Sequence, residues 1–114
     1  MLLNLSTLPA AEHAVLIRVR LSDDELGTIA DDELVESIED AIRAAIECRP
    51  SAGHWDGHEF GGGWAVVFCY GHDAMLLRDC VTDAILSIEL DRQVHVYLDS
   101  EDSVVVLSPS QVDH

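Results

Sequence analysis

Lysine is absent from this 114-residue chain, and only six arginines stand against 22 acidic residues, for a formal net charge of −16. A field of that sign repels nucleic acid, anionic lipid and most phosphorylated metabolites at low salt, so neither nucleic acid nor a membrane surface is an expected partner. Cysteine is scarce too. Cys48, Cys69 and Cys80 are odd in number, lack C-x-x-C spacing and sit inside apolar patterns, which predicts buried, reduced thiols. No apolar run approaches the roughly 18 residues that cross a bilayer, and the opening Met1 to Ala11 lacks the Lys or Arg of a secretory n-region. A cytoplasmic protein is expected. G-x-S-x-G and H-E-x-x-H are missing, and Gly61-Gly62-Gly63 has neither the lysine nor the strand-to-helix setting of a phosphate loop. With no basic neighbours to activate the cysteines, no enzyme activity is expected.

What is present is a core. Hydrophobic residues make up 48% of the chain, enough for one domain, and the charge is added to that core rather than replacing it. His13 to Leu21 alternates as a half-buried strand, with Val15, Ile17, Val19 and Leu21 on one face and Leu16, Arg18 and Arg20 on the other. From Ala30 to Cys48, Leu34, Val35, Ile38, Ala41, Ile42, Ala45 and Ile46 recur at helical spacing, with Thr28 as N-cap and Pro50 as stop. His54 to Phe60 and Trp64 to Tyr70 flank the triglycine as a hairpin. A second helix opens at Asp73 and ends near Glu89 or Leu90, Gln93 to Asp99 alternates again, and Ser103 to Ser108 adds a short strand by a hairpin through Ser100, Glu101 and Asp102.

This order predicts an α+β fold, a ferredoxin-like βαββαβ antiparallel sheet with both helices on one face. Residues 1–12 form an N-terminal extension, 13–108 the single domain and 109–114 a frayed tail. The other sheet face is left uncovered. It carries Arg18, Arg20, His95 and Tyr97, with either Trp64, Val66, Phe68 and Tyr70 or their neighbours Ala65, Val67 and Cys69 from the third strand. A strand apolar on both sides predicts that this face is buried by a second copy, a partner or the chain's own ends. Its aromatics invite comparison with RNA-binding sheets, but two arginines in a −16 chain cannot neutralise a phosphate backbone. Interface centres are enriched in aromatics and arginine, so Arg18, Arg20, Trp64, Phe68, Tyr70, His95 and Tyr97 are candidate interface residues for a homodimer or a protein ligand.

Asp56-Gly57-His58-Glu59-Phe60-Gly61-Gly62-Gly63, followed by Tyr70-Gly71-His72-Asp73-Ala74, resembles a family of small acidic bacterial proteins of ferredoxin-like layout. The similarity spans roughly residues 14–99 and includes Leu21 to Gly27. It implies the fold and a bacterial origin and brings no activity, cofactor or site residue with it.

His54, Asp56 and His58 alternate on a strand and so share one face about 7 Å apart per step, with His72 or the surroundings of Glu59 able to add a fourth ligand. That spacing is a poorer metal template than a helical H-x-x-x-H, and no metal or other cofactor is expected. The densest feature is acidic: Asp23, Asp24, Glu25, Asp31, Asp32, Glu33, Glu36, Glu39 and Asp40, offset nearby only by Arg43. A charged face is ordinarily the solvated side of an amphipathic helix. Here the helix forgoes i to i+4 ion pairs and accepts like-charge repulsion, and that cost points to a target. The expected function is a non-catalytic acidic interaction domain that binds a basic protein surface, in its sharpest form an immunity protein against a cationic toxin or a nucleic-acid-mimic inhibitor. The alternative is a dimeric ligand-sensing or scaffold domain using the uncovered sheet face.

Overall fold

The computed structural model describes residues 12–23, 26–98 and 104–109. Strand β1 (His13–Arg20) buries Val15, Ile17 and Val19 completely on one side, as its alternation requires. Helix α1 (Ile29–Cys48) begins with a capping box. The Thr28 hydroxyl accepts from the Asp31 amide, and the Asp31 carboxylate accepts from the Thr28 amide. Its buried stripe, Val35, Ile38 and Ile42, repeats every three to four residues. A 3₁₀ turn over Pro50–Ala52 follows and leads into β2 (His54–Gly61). β3 (Trp64–Gly71) returns antiparallel across the glycine turn, α2 (Ala74–Leu86) starts on the Asp73 cap, and β4 (Val94–Leu98) and β5 (Val104–Leu107) complete the chain. The second helix stops earlier than its hydrophobic pattern predicts, because the Ser87 hydroxyl bonds the Ala84 carbonyl and the chain tightens to three-residue turns at Ser87 and Ile88. Asp24, Glu25, the Ser100 to Asp102 hairpin, residues 1–11 and most of the predicted tail lie outside the described residues.

The fold is α+β, with a five-stranded sheet ordered β2-β3-β1-β4-β5 and every neighbour antiparallel. α1 connects β1 to β2 with β3 lying between them, and α2 connects β3 to β4 with β1 between them. Both helices pack against one sheet face and each other. Val15, Ile17, Val19, Ala65, Val67, Val94 and Val96 meet Val35, Ile38, Ile42, Leu77, Val81 and Ile85 in a single core. The choice left open for the third strand is thereby decided: Ala65, Val67 and Cys69 point to the helices, and Trp64, Val66, Phe68 and Tyr70 to the other face.

A bulge interrupts β2. The register against β3 shifts between Trp55 and Gly57, so that Asp56 is the extra residue. Gly57 sits at φ +140°, a conformation that L side chains rarely adopt. The bulge places Trp55, His58 and Phe60 on the helix side and His54, Gly57, Glu59 and Gly61 on the other.

Candidate functional site

The acidic segment divides into carboxylates that build the fold and carboxylates that face water. Asp31, expected on the charged surface, is fully buried. Its Oδ2 accepts from the amides of Ser22 and Thr28, both at 2.9 Å, and its Oδ1 from the Ser22 hydroxyl at 2.7 Å and from the Arg92 guanidinium. Burial alone raises a carboxyl pKa, but the Ser22 hydroxyl and amide, the Thr28 amide and Arg92 outweigh it and hold Asp31 well below the ordinary range. Arg92 also donates to the Arg20 carbonyl and pairs with Asp91, tying the end of β1, the start of α1 and the segment before β4 into one cluster.

Glu39 is the second correction. It is 6% exposed, and its Oε2 accepts from the Trp55 indole at 2.8 Å and meets His58 Nδ1 at 2.9 Å. The carboxylate of Glu39 thereby joins Trp55 and His58 of β2 to α1. The Arg43 guanidinium lies 4.8 Å over the Trp55 ring and pairs with Asp40 at 2.6 Å. Glu39→Ala is expected to cost about 1–3 kcal/mol, because it removes the acceptor of the Trp55 indole N–H and the partner of His58. Urea unfolding measures the loss, and a red shift of tryptophan emission checks that Trp55 has become wetter. An unchanged midpoint contradicts the assignment.

Asp32, Glu33, Glu36 and Asp40 remain exposed on α1, and Asp23 is exposed ahead of it, accepting from the Gly27 amide at 2.9 Å. Glu33, Glu36, Ser37 and Asp40 line a shallow polar depression on the helix surface. Among the described residues, Asp32, Glu33 and Glu36 have no ion-pair partner.

All seven candidate interface residues of the sheet project from the side away from the helices. Arg18 sits mid-way along the central strand, its guanidinium 4.2 Å from the Trp64 ring centre and 5.7 Å from that of Tyr97. One of its nitrogens reaches the Tyr97 hydroxyl at 3.5 Å, and that hydroxyl lies 3.4 Å from His95 Nδ1. Arg20 flanks Trp64 at 5.4 Å. Stacks of this kind contribute about 0.5–2 kcal/mol and hold the guanidinium flat on the sheet.

The bulge separates His54 from His58, since His54 faces Tyr70 on the uncovered side at 5.9 Å between ring centres, whereas His58 turns toward Glu39. Among the described residues no three His, Cys, Asp or Glu side chains converge in a metal-holding group. Cys69 and Cys80 are buried, and burial pushes both thiols up, Cys69 to about 12. Cys48 departs from the expectation: it is exposed at the end of α1, beside a groove between the helices. Sequence reasoning missed Arg92, Ser22 and Trp55 as partners of buried acids. The Thr28 to Asp31 spacing was the one available signal, and it reported the cap without the burial. Among the described residues no helix is long and apolar enough to cross a membrane. Comparison of the chain with family models, with curated proteins and with solved structures finds no match.

Proposed function

We propose that this chain is a non-catalytic interaction domain of ferredoxin-like arrangement, acting in the bacterial cytoplasm, whose α1 surface docks onto a basic face of another protein. The strand order β2-β3-β1-β4, with each helix crossing over an inserted strand, supports the fold reading. The observation that carries the function is the run Asp32, Glu33 and Glu36: exposed carboxylates without a cationic partner among the described residues, on a helix whose one nearby cation, Arg43, is engaged by Asp40 and Trp55. An immunity protein for a cationic toxin, or a mimic that fills a nucleic-acid groove, is the form this takes. Opposite charge speeds association, and a few buried anchors slow release.

The test separates binding from stability. Glu36 lies one helical turn from both Asp32 and Asp40, so in the Glu33→Lys/Glu36→Lys variant two repulsive pairs become attractive. Stability is expected to be equal or higher by about 0.2–0.5 kcal/mol per pair. Glu39 is left intact, because reversal there would strip Trp55 and His58 of their acceptor. A basic protein captured by the wild type from its own cells should bind the variant at least about tenfold more weakly, and wild-type association should fall steeply from low to physiological salt. Equal binding by the variant reduces α1 to a solvated face and removes the reading.

A further inference from the structure

We infer that the uncovered sheet face is a contact between two copies of this chain, stacked face to face about a two-fold axis running along β3. Arg18 has no carboxylate partner among the described residues, in a chain with 22 acids. Glu59 is exposed on the same sheet face and likewise has no ion-pair partner among them. The two share one row, Glu59 opposite Val66 and Val66 opposite Arg18, so they stand two strands apart. That is about 9–10 Å between backbones, and the Arg18 guanidinium lies by Trp64 and Tyr97 instead of reaching across β3 to Glu59. Rotation about β3 exchanges the positions of β1 and β2, which sets Glu59 of each copy against Arg18 of the other.

The same operation matches size as well as charge. Leu16 shares its row with Gly57, and Arg20 shares its row with Gly61, so each large β1 side chain meets a glycine of the second copy. Trp and Arg are among the residues that anchor interface centres, and here Trp64 stands on β3 itself with Arg18 stacked on it from β1. Net charge also favours this contact over others between copies. Stacked sheets lie about 10 Å apart with the helices a further layer outward, so the two acidic α1 faces end up about 30 Å apart, several Debye lengths at physiological salt. Three overlapping strands of about eight residues cover roughly 14 × 26 Å, less than a stable interface buries, so the dimer is weak, reversible and concentration-dependent.

Sedimentation equilibrium on the full chain tests this, and the result does not depend on the α1 reading. Wild-type mass should rise from that of the monomer toward twice its value with concentration. Glu59→Arg, at an exposed position, and Arg18→Glu should each weaken association at least about tenfold. Mixing the two variants should restore it, since both cross-copy contacts again join opposite charges, and the combined Arg18→Glu/Glu59→Arg chain should associate by itself. Glu33→Lys/Glu36→Lys should dimerise as the wild type does. If Arg18→Glu fails to fold by circular dichroism, loss of association in Glu59→Arg together with its recovery in an Arg18→Lys/Glu59→Asp chain carries the test. A monomer at every concentration up to about 1 mM, whatever else fills the face, overturns the proposal. So does wild-type association by Glu59→Arg, or failure of the two folded single variants to pair.

Discussion

Asp31→Ala is expected to lower stability by about 3–5 kcal/mol, a large share of what holds a domain of this size together. The side chain removed is fully buried and accepts four hydrogen bonds, two from amides, one from a hydroxyl and one from a guanidinium. The Ser22 and Thr28 amides lose their shared acceptor at the cap of α1, and Arg92 keeps only Asp91 as an acidic partner. A melting temperature lower by about 10–25 °C follows. Asp31→Asn should cost less, because one amide oxygen can still accept from both backbone donors while the Ser22 hydroxyl rotates to accept from the new NH₂ group. What it loses is the Arg92 pairing. The pH dependence has a definite sign. The folded pKa of Asp31 lies below its ordinary value of 3.8, so its contribution is fully present above about pH 4 and is lost as pH falls toward the folded value. The gap between wild type and Asp31→Ala should therefore be constant from neutral pH to about pH 5 and narrow below pH 4. A cost under about 1 kcal/mol at neutral pH contradicts the account.

Asp31 also marks how far the sequence could be read. Its neighbours Asp32 and Glu33 look identical to it on a charge plot, yet one acid in three at that position turns inward because Ser22, nine residues earlier, and Arg92, 61 residues later, converge on it. Long-range convergence of that kind leaves no local pattern. Alternation and helical spacing, by contrast, are local consequences of the backbone, and they placed β1, α1, β3 and β4 within a residue or two. The face of the sheet that carries Arg18, His95 and Tyr97 followed from the same period of two once both helices were assigned to one side, whereas a third strand apolar on both sides left the side of Trp64 open. In β2 the period failed. A single inserted residue, Asp56, inverted the side on which everything before it lies, so the His54, Asp56 and His58 row does not exist and Trp55 joins His58 over Glu39. Asp-Gly in a strand is the one local hint of such a bulge, and it is also a turn signal, so spacing alone does not choose between them.

Gly53→Ala is expected to be the second severe substitution, at about 2–4 kcal/mol, although the position lies in a short link between α1 and β2. The 3₁₀ turn over Pro50–Ala52 brings the chain across the end of β3 so closely that a Cβ on Gly53 collides with the Tyr70 carbonyl oxygen, and a Cβ on Gly71 collides with the Ala52 carbonyl oxygen. Backbone atoms cannot swing aside as a flexible side chain would. Gly53 also sits at φ +150°, so alanine there adds conformational strain to the overlap. Gly71→Ala meets the overlap without a positive φ and should cost less, about 1–3 kcal/mol. Because both methyl groups wedge the same contact apart, the double variant should cost less than the sum of the two single changes. Gly61 supplies the control: nothing lies within 4 Å of its added Cβ and its φ is not positive, so Gly61→Ala should be neutral to within about 0.5 kcal/mol. Chemical denaturation of the four variants measures the series. Equal midpoints for Gly53→Ala and Gly61→Ala would mean that the link and the end of β3 are not in contact.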